Sequence, residues 1–387
     1  MLTSVLRKGS PNTQANRQDR QTYDPWLLLS VLLLLGIGLV MVSSASLSYA
    51  EDLGLSTWYF ATRHALYVLF ALLVCASATY IPLSFWRLVA LPLLLGNMLL
   101  LTLLLLPGVS RPVNGSLRWL FIGPISIQVS EITKLSFILY TAHTLVVEHI
   151  KRQGPLRAFL KPLMLLAVAC GLLLLEPDFG AAFVIVSTVL GLLFLGGAPL
   201  RPFLVLGVVT LSGMALLIFS SPYRVQRLTA FLDPWSDQFK TGYQLTQSLI
   251  AFGKGSWWGA GLGNSVQKLL YLPEPHTDFI CAVLAEEWGF MGVSLVLLLF
   301  SVLVYSILKV GQRAIHNGKL FAGYLAYGVA LWIGLQAIIN LGVNVGVLPT
   351  KGLTLPFISY GGNSLVAMLL AMGIILRIQF ELGSKAR

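Results

Sequence analysis

The sequence predicts an all-α polytopic membrane protein with about ten membrane-spanning helices. Of its 387 residues, 56% are hydrophobic and only 11% are charged, whereas an ordinary soluble domain carries about 25% charged residues. The mean hydropathy is +0.81, and the apolar residues form long unbroken runs, unlike the alternating segments of a membrane β-barrel. These observations exclude a soluble globular enzyme, a disordered chain and a disulfide scaffold.

Apolar runs divide the chain into a short polar tail, a membrane domain and a short polar end. A membrane-spanning helix needs about 20 mostly apolar residues. The runs cover 26–47, 61–80, 88–106, 127–147, 162–176, 180–198, 202–220, 290–309, 321–342 and 363–379. We therefore predict a cytoplasmic tail at 1–24, a membrane domain at 25–380 and a cytoplasmic C-terminus at 381–387. The first run is long for the core of a cleaved signal peptide, so we expect it to remain as the first span.

The distribution of charge predicts that both termini lie in the cytoplasm. With this orientation the cytoplasmic segments hold 16 of the 26 Lys and Arg residues and four of the 15 Asp and Glu residues. An excess of positive charge in cytoplasmic loops is the general rule for membrane proteins. The net charge of +11 is explained in this way, so nucleic acid is not predicted as a partner.

Two predicted outer loops are longer than simple connections between spans. Residues 107–126 form one of them, and residues 221–289 form the other, between spans 7 and 8. Loops of this length are usually functional or disordered. Because the second loop is rich in Trp, Gly and Pro, we predict packed re-entrant structure there.

Charged residues inside the predicted spans mark one candidate site. Glu131 and Lys134 are three residues apart near the start of the fourth span, a spacing that places opposite charges on one helix face. A charge in the bilayer is costly unless it is paired or hydrated. The two residues therefore form either a structural ion pair or part of a polar cavity at the outer edge of the membrane.

A second candidate site lies at the end of the long outer loop. Asp278 stands where this loop approaches the eighth span, and a carboxylate at an apolar boundary can act as a general base. His276 could be a base or a metal ligand, although no His, Cys or Glu set with zinc spacing accompanies it. Glu286 and Glu287 follow on a predicted helix and could be structural.

Basic residues on the outer face suggest an anionic substrate, for which a diphosphate is the obvious candidate. The alternative is ordinary solvation or contact with lipid head groups. The residues are Arg111, Arg118, Arg224, Arg227, Lys240, Lys254, Lys268 and Lys351. The Gly-rich stretch at 253–263 lacks the residue order of a P-loop and is interpreted as tight turns. Two prolines, Pro349 and Pro356, predict a rigid outer loop before the last span.

The ordered motifs together resemble the SEDS family of polytopic membrane proteins. The matching segments are Arg118–Trp119, Gln128–Lys134, Glu176–Gly180, Tyr243–Gln244, Gln247–Ser248, the Gly-rich stretch, Pro273–Asp278, Glu286–Glu287 and Pro349–Gly362. The last of these looks more like the cell-division branch of the family than the elongation branch. Val129, Pro275 and Asn363 depart from the usual family pattern without removing a charged group.

The resemblance implies a glycosyltransferase that polymerises lipid II into peptidoglycan on the outer face of the bacterial cytoplasmic membrane, at the division septum. Its implied partners are a class B penicillin-binding protein, which is a transpeptidase, and other membrane proteins of the division machinery. Asp278 matches the family's catalytic aspartate, and Glu131 and Lys134 match its charged pair. The residues we assign to substrate binding or the cavity are Glu131, Lys134, Arg118, Arg224, Arg227, Lys268, His276, Thr277, Lys351 and Ser359.

Two other functions compete with the glycosyltransferase. A lipid II flippase would line a path across the membrane with polar residues, whereas here they concentrate on one side. A non-catalytic scaffold would only recruit the transpeptidase. No cofactor or metal site is identifiable in the sequence, although a divalent cation could assist the reaction.

Overall fold

The computed structural model describes residues 23–110, 116–123, 125–151, 155–197, 200–220, 222–349 and 352–383. Over these residues the chain forms twelve helices and one β-hairpin. The helices are α1 (Pro25–Asp52), α2 (Tyr59–Tyr80), α3 (Leu83–Leu104), α4 (Val129–Lys151), α5 (Pro155–Leu175), α6 (Phe179–Leu195), α7 (Leu200–Phe219), α8 (Pro222–Leu232), α9 (Tyr243–Gly255), α10 (Ile280–His316), α11 (Leu320–Asn344) and α12 (Gly362–Gly383). The strands are β1 (Trp119–Ile122) and β2 (Ile125–Gln128).

Each of the ten predicted apolar runs coincides with a helix, and these helices are α1–α7 and α10–α12. Six of them, α1, α2, α3, α10, α11 and α12, are long and apolar enough to cross a membrane, within the part of the chain that is described. Helix α6 and the Leu160–Leu175 part of α5 are apolar but shorter. The protein is therefore a helical multi-pass membrane protein.

Helices α10 and α11 form the centre of the bundle. Helix α10 packs against α1, α9 and α11, and α12 packs against α2. Their buried side chains form one continuous core that includes Leu303, Trp332 and Ile375. A second core, which includes Leu101 and Phe137, joins α3, α4, α5 and α6. Because α11 also contacts α4 and α6, it connects the two halves of the bundle.

The connections after the second and eighth predicted spans meet the end of α12 at one end of the bundle. Glu381 near the end of α12 accepts hydrogen bonds from the backbone N–H of Leu83 (3.1 Å) and from Arg377 Nε (2.9 Å). Lys319, between α10 and α11, donates to the carbonyl of Glu381. The side chain of Gln379 accepts from the backbone N–H of Asp24 at 3.1 Å, which places the start of α1 at this end as well.

The two long outer loops contain more structure than the sequence indicated. Residues 107–126 were predicted as loop, but β1 and β2 pair there in an antiparallel hairpin with Trp119 opposite Gln128. The expectation of a purely helical protein is therefore corrected by this hairpin. Residues 221–289 contain α8, α9 and the first part of α10.

Helix α10 is broken at Gly289, where φ is 66°. The part before the break is short, and every side chain from Ile280 to Glu287 is buried. The part after the break begins where the eighth span was predicted to begin, at residue 290. The segment that was predicted to be re-entrant thus ends in a buried half-helix, which is followed directly by a long apolar helix.

Candidate functional site

Asp278 lies in the turn that precedes α10, and polar residues of α11 hold its backbone. Its carbonyl oxygen accepts hydrogen bonds from Asn340 Nδ2 (3.0 Å) and Asn344 Nδ2 (3.1 Å). The amide oxygen of Asn344 also accepts from the backbone N–H of Ala282 (3.1 Å), in the first turn of α10. These bonds fix the position of the Asp278 backbone without using its carboxylate.

The carboxylate of Asp278 is only partly exposed, and no described residue donates a hydrogen bond to it. The backbone of Gly352 lies against it, because a Cβ at residue 352 would be 2.8 Å from Oδ2. Withdrawal from water and the charge of Glu274 raise the pKa of Asp278 to about 7, while Arg118 opposes this rise. Within the described structure, the side chain is thus a carboxyl group without a hydrogen-bond donor, and it can gain or lose a proton near neutral pH.

Arg118 connects the hairpin to the turn between α5 and α6. Its Nη2 donates to the carbonyl of Pro177 (2.5 Å), and its Nε lies 3.8 Å from Asp178 Oδ2. Asp178 caps α6 by accepting from the backbone N–H of Ala181 (3.2 Å) and also accepts from Ser130 Oγ (3.0 Å). Because Arg118 remains partly exposed, it can still meet a ligand.

Connections after odd-numbered spans meet around Asp278. Arg118 comes from the connection after the third predicted span, and Asp178 comes from the connection after the fifth. The turn at Gly180 packs against Gly352 and Leu353, since a Cβ at residue 180 would be 3.0 Å from Leu353 Cδ2. Four connections that are far apart in sequence therefore build one site.

Glu131 and Lys134 form a buried ion pair next to this site. Lys134 Nζ lies 2.7 Å from Glu131 Oε1 and donates to Gln336 Oε1 at 3.0 Å. Gln336 also accepts from Trp332 Nε1 (3.0 Å) and donates to the carbonyl of Thr354 (3.0 Å). The pair predicted from the spacing is thus formed, and its network joins α4, α11 and the segment before α12.

Lys268 was assigned to substrate binding or the cavity, but it is buried and its ammonium group is bonded within the protein. Its Nζ lies 2.8 Å from Glu287 Oε1 and donates to Ser44 Oγ (2.9 Å) and to the carbonyl of Gly263 (2.6 Å). Glu287 also accepts from Ser44 Oγ at 2.6 Å. Because its three donor positions are used in these contacts, Lys268 stabilises the half-helix rather than offering a charge to a ligand.

Glu286 is likewise used for structure. Its carboxylate accepts from Ser265 Oγ (2.5 Å) and from the backbone N–H groups of Val266 (3.2 Å) and Gln267 (3.1 Å). Those donors lie in the loop after the Gly-rich stretch. Both glutamates of the motif therefore bind the loop to the half-helix.

The Gly-rich stretch packs against the C-terminal end of the half-helix. Ala260 N–H donates to the carbonyl of Glu286 (2.9 Å), and Gly261 N–H donates to that of Glu287 (3.0 Å). A Cβ at residue 259 would lie 2.1 Å from the Glu287 carbonyl oxygen, and φ there is 78°. Only glycine allows this approach, so the interpretation as tight turns agrees with the geometry.

His276 packs among aromatic rings. Its ring centroid lies 4.8 Å from that of Phe60 and 5.0 Å from that of Tyr49, and its side chain is buried. Burial, together with His64, lowers its pKa to about 4. His276 is therefore neutral at physiological pH, and in the described structure its ring is packed against aromatic side chains.

Two other predicted site residues make local contacts. Thr277 Oγ1 donates to Glu274 Oε2 at 2.9 Å, which fixes the carboxylate whose charge acts on Asp278. Ser359 Oγ accepts from the backbone N–H of Leu355 (2.8 Å) and closes the turn before α12. Both residues shape the segments around Asp278.

Some predicted residues lie outside what the structure describes. Lys351 and Arg111 are outside the described residues. Arg224 and Arg227 belong to α8, whose range is described, but their side chains are not. Among the described residues there is no group of three or more His, Cys, Asp and Glu side chains that could hold a metal ion.

Several residues around Asp278 were not assigned to the site from the sequence. Gln336, Asn340 and Asn344 occupy one face of α11 at intervals of four residues, and all three are buried. This spacing within an apolar run could have been found, because buried amides in a span need partners. Asp178 was seen only as part of a family motif. Its contact with Arg118 depends on two distant connections.

The site lies at one end of a helical membrane bundle, where several connections converge on an aspartate whose carboxylate accepts no hydrogen bond from a described residue. These features define the class: a multi-pass membrane protein with a polar site at one end of its bundle. A comparison with known protein families identifies the family of the chain. A family model described as "Cell cycle protein", which covers FtsW, RodA and SpoVE, matches residues 25–383. The chain belongs to this family, as its resemblance to SEDS proteins predicted.

Relatives with similar sequences carry one name. The protein named "Probable peptidoglycan glycosyltransferase FtsW" from Coxiella burnetii is 53% identical over 361 residues, which cover 93% of this chain and 97% of that protein. The protein of the same name from Legionella pneumophila is 50% identical over 359 residues, covering 93% and 91%.

Solved structures share the fold. A chain of the structure described as "Structural coordination of polymerization and crosslinking by a peptidoglycan synthase complex" matches with a TM-score of 0.78 and 30% identity, covering 94% of this chain and 99% of that one. The rod shape determining protein RodA of Thermus thermophilus matches with a TM-score of 0.69 and 28% identity, covering 93% and 98%.

Proposed function

We propose that the protein is a peptidoglycan glycosyltransferase that polymerises lipid II during cell division, with Asp278 as its general base. The observation that carries this proposal is the Asp278 carboxyl group, which no described residue binds and whose pKa is raised to about 7. The names of the relatives at 50% and 53% identity support the same activity.

The reaction needs one carboxylate and a cationic environment. Asp278 takes the proton of the acceptor sugar's 4-hydroxyl while that oxygen forms a bond to the anomeric carbon of the donor. The bond between the anomeric carbon and the lipid diphosphate breaks, and the diphosphate leaves with the electron pair. Cationic groups stabilise the negative charge that develops on it.

Arg118 is the described cation best placed to meet the leaving diphosphate. It is partly exposed and acts electrostatically on Asp278. We assign Arg224, Arg227 and Lys351 to the same diphosphate on the basis of sequence. For Lys351, the Ala variant should polymerise more slowly and the Arg variant should recover part of the rate, because Arg keeps the charge. A wild-type rate for the Ala variant would remove Lys351 from the site.

We infer ten spans with both termini in the cytoplasm and Asp278 on the outer side of the inner membrane, at the septum. The convergence of the connections after spans 3, 5, 7 and 9 at Asp278, and of those after spans 2 and 8 at Glu381, supports this arrangement. Cysteine labelling from the outside should modify a cysteine placed at exposed Asp52 and spare one placed at exposed Asn317 in intact cells. The opposite labelling would reverse the orientation.

We further propose a class B penicillin-binding protein as partner, together with other division membrane proteins. The match to a chain of a peptidoglycan synthase complex supports a transpeptidase partner. Co-purification of the two proteins from membranes would test this. A divalent cation could assist diphosphate departure, and loss of activity on chelation, restored by Mg²⁺, would show it.

The decisive experiment uses purified protein and labelled lipid II, with and without the transpeptidase. Glycan strands should form with the wild-type protein and with Asp52→Asn, a matched carboxylate at the exposed end of α1, but not with Asp278→Asn. Movement of lipid II across vesicles without polymer would support the flippase. If the protein neither forms polymer nor moves lipid II, the remaining hypothesis is a non-catalytic scaffold that recruits the transpeptidase.

A further inference from the structure

Glu176 is a buried carboxyl group that the proposed reaction does not use. Its side chain is 1% exposed, and neither oxygen has a hydrogen-bond partner among the described residues. It directly follows α5, two residues before Asp178, in the connection that Arg118 contacts. A buried carboxylate without donors is very costly, whereas a protonated carboxyl is tolerated.

The two acidic residues of this turn have opposite surroundings. Asp178 accepts hydrogen bonds from Ser130 and Ala181 and faces Arg118 Nε at 3.8 Å. Glu176 accepts none in the described structure. Neighbouring carboxyl groups whose surroundings differ in this way take different protonation states, and such pairs are common at functional sites.

The attraction of Arg118 for an anion depends on how many of the neighbouring carboxyl groups are ionised. With Glu176 neutral, Asp178 is the carboxylate in ion-pair contact with the guanidinium. With Glu176 ionised, two negative charges would act on Arg118 and reduce its attraction for an anion. The same turn packs on Gly352 and Leu353, and Gly352 lies against the Asp278 carboxylate.

We propose that Glu176 is a positioning residue whose neutral carboxyl group keeps the charge of Arg118 available for the substrate's diphosphate beside Asp278. This inference rests on the proposed function. Burial and the charge of Asp178 raise the pKa of Glu176 to about 8, with Arg118 opposing. Those two residues are the charged groups acting on Glu176 within the described structure. Ionisation at higher pH should therefore weaken diphosphate binding.

The test compares wild type with Glu176→Gln, which keeps the shape and remains neutral at every pH. Binding of farnesyl diphosphate is measured by calorimetry from pH 7 to 9, with farnesol as the uncharged comparison. The wild-type affinity for the diphosphate should fall about fivefold, as one added unit charge near a partly solvated cation would cause. Affinity in Glu176→Gln should fall less, because only Asp278, whose pKa is raised to about 7, still loses its proton over this range. Farnesol should show no change in either protein.

Kinetics provide a second readout. At pH 7 the Gln variant should polymerise lipid II within twofold of wild type. Above pH 8 the KM of wild type should rise while that of Glu176→Gln stays level, with Asp52→Asn behaving as wild type. The same loss of diphosphate affinity in wild type and Gln variant would overturn the proposal, and so would an inactive but folded Gln variant at pH 7.

The binding measurement also separates this inference from the proposed function. It is repeated in Asp278→Asn, which lacks the base but keeps Arg118 and Glu176. If no protein polymerises lipid II while diphosphate binding still depends on Glu176, the proposed function fails and the inference about the anion site survives. If polymerisation is normal but diphosphate binding does not depend on Glu176, the proposed function survives and the inference about the anion site fails.

Discussion

Asp278 and the Glu286–Glu287 pair lie within ten residues of one another and differ completely in how their carboxylates are used. The two glutamates accept hydrogen bonds from Ser44, Ser265, Lys268 and two backbone N–H groups. In the described structure Asp278 accepts none on its carboxylate. The two glutamates hold this segment in place through their hydrogen bonds, although Glu287 Oε2 is buried without a donor among the described residues. The carboxylate of Asp278 takes no part in holding the segment, which leaves it available for the reaction that we propose.

The largest expected effect separates the two regions by activity and stability. Asp278→Asn should lower polymerisation by about 10²–10⁴-fold, the usual contribution of a general base. Its melting temperature at pH 8 should equal or exceed that of wild type. The reason is that a raised pKa gives stability that is present below pH 4 and lost as pH rises through about 7.

Glu287→Gln serves as the opposite case and should melt at a lower temperature. A substantial polymerisation rate for Asp278→Asn, or a large fall in its melting temperature, would erase the distinction between the two regions.

The second prediction concerns the buried pair of Lys268 and Glu287. Removing one partner leaves an uncompensated buried charge, so Lys268→Met alone should cost about 3–5 kcal/mol of stability. The double variant Lys268→Met with Glu287→Gln should lose less than the two single changes together. Thermal unfolding in detergent measures this.

The partly exposed pair of Arg377 and Glu381 is the control, and Arg377→Met should cost at most about 1 kcal/mol. If Lys268→Met and Arg377→Met lower the free energy of unfolding by the same amount, burial of the Lys268 pair does not contribute to stability.

The third prediction tests whether the pair of Glu131 and Lys134 is coupled. A double-mutant cycle of Glu131→Gln and Lys134→Met should show a coupling free energy of about 0.5–3 kcal/mol. Because Lys134 also bonds Gln336, whose amide reaches Thr354, polymerisation should fall with stability. Strict additivity of the two changes would show that the 2.7 Å contact carries no net energy.

The smallest expected effect is the pH dependence of polymerisation. The base form of Asp278 is lost as pH falls through about 7, so kcat/KM should drop about tenfold per pH unit well below that value. Initial rates from pH 5.5 to 8 measure it. Lys268→Arg, in the structural region, should lower the rate without moving the midpoint. A midpoint near 4 would mean that Asp278 is solvated or paired during the reaction.

Residue order along the chain was enough to predict the helices, and the family resemblance singled out Asp278 as the residue that we propose to react. Ten apolar runs predicted ten helices because the length of an apolar run is a local property. The spacing of Glu131 and Lys134 likewise predicted their contact within one helix. The hairpin at 119–128 was not predicted, because Trp119–Ile122 is apolar throughout and the alternation of Ile125–Gln128 covers only four residues.

Which charged side chains lack an ion-pair or hydrogen-bond partner could be seen only from the contacts between distant parts of the chain. From the sequence, Lys268 was predicted to be a cation on the outer face. In the structure its ammonium group pairs with Glu287 and donates to Ser44, which come from two other parts of the chain. Asp278 and Glu287 are acidic residues nine positions apart. Ser44 and Lys268 donate hydrogen bonds to the carboxylate of Glu287, whereas no described residue donates one to the carboxylate of Asp278. Whether a buried charge is satisfied depends on three-dimensional contacts, which residue order along the chain does not encode locally.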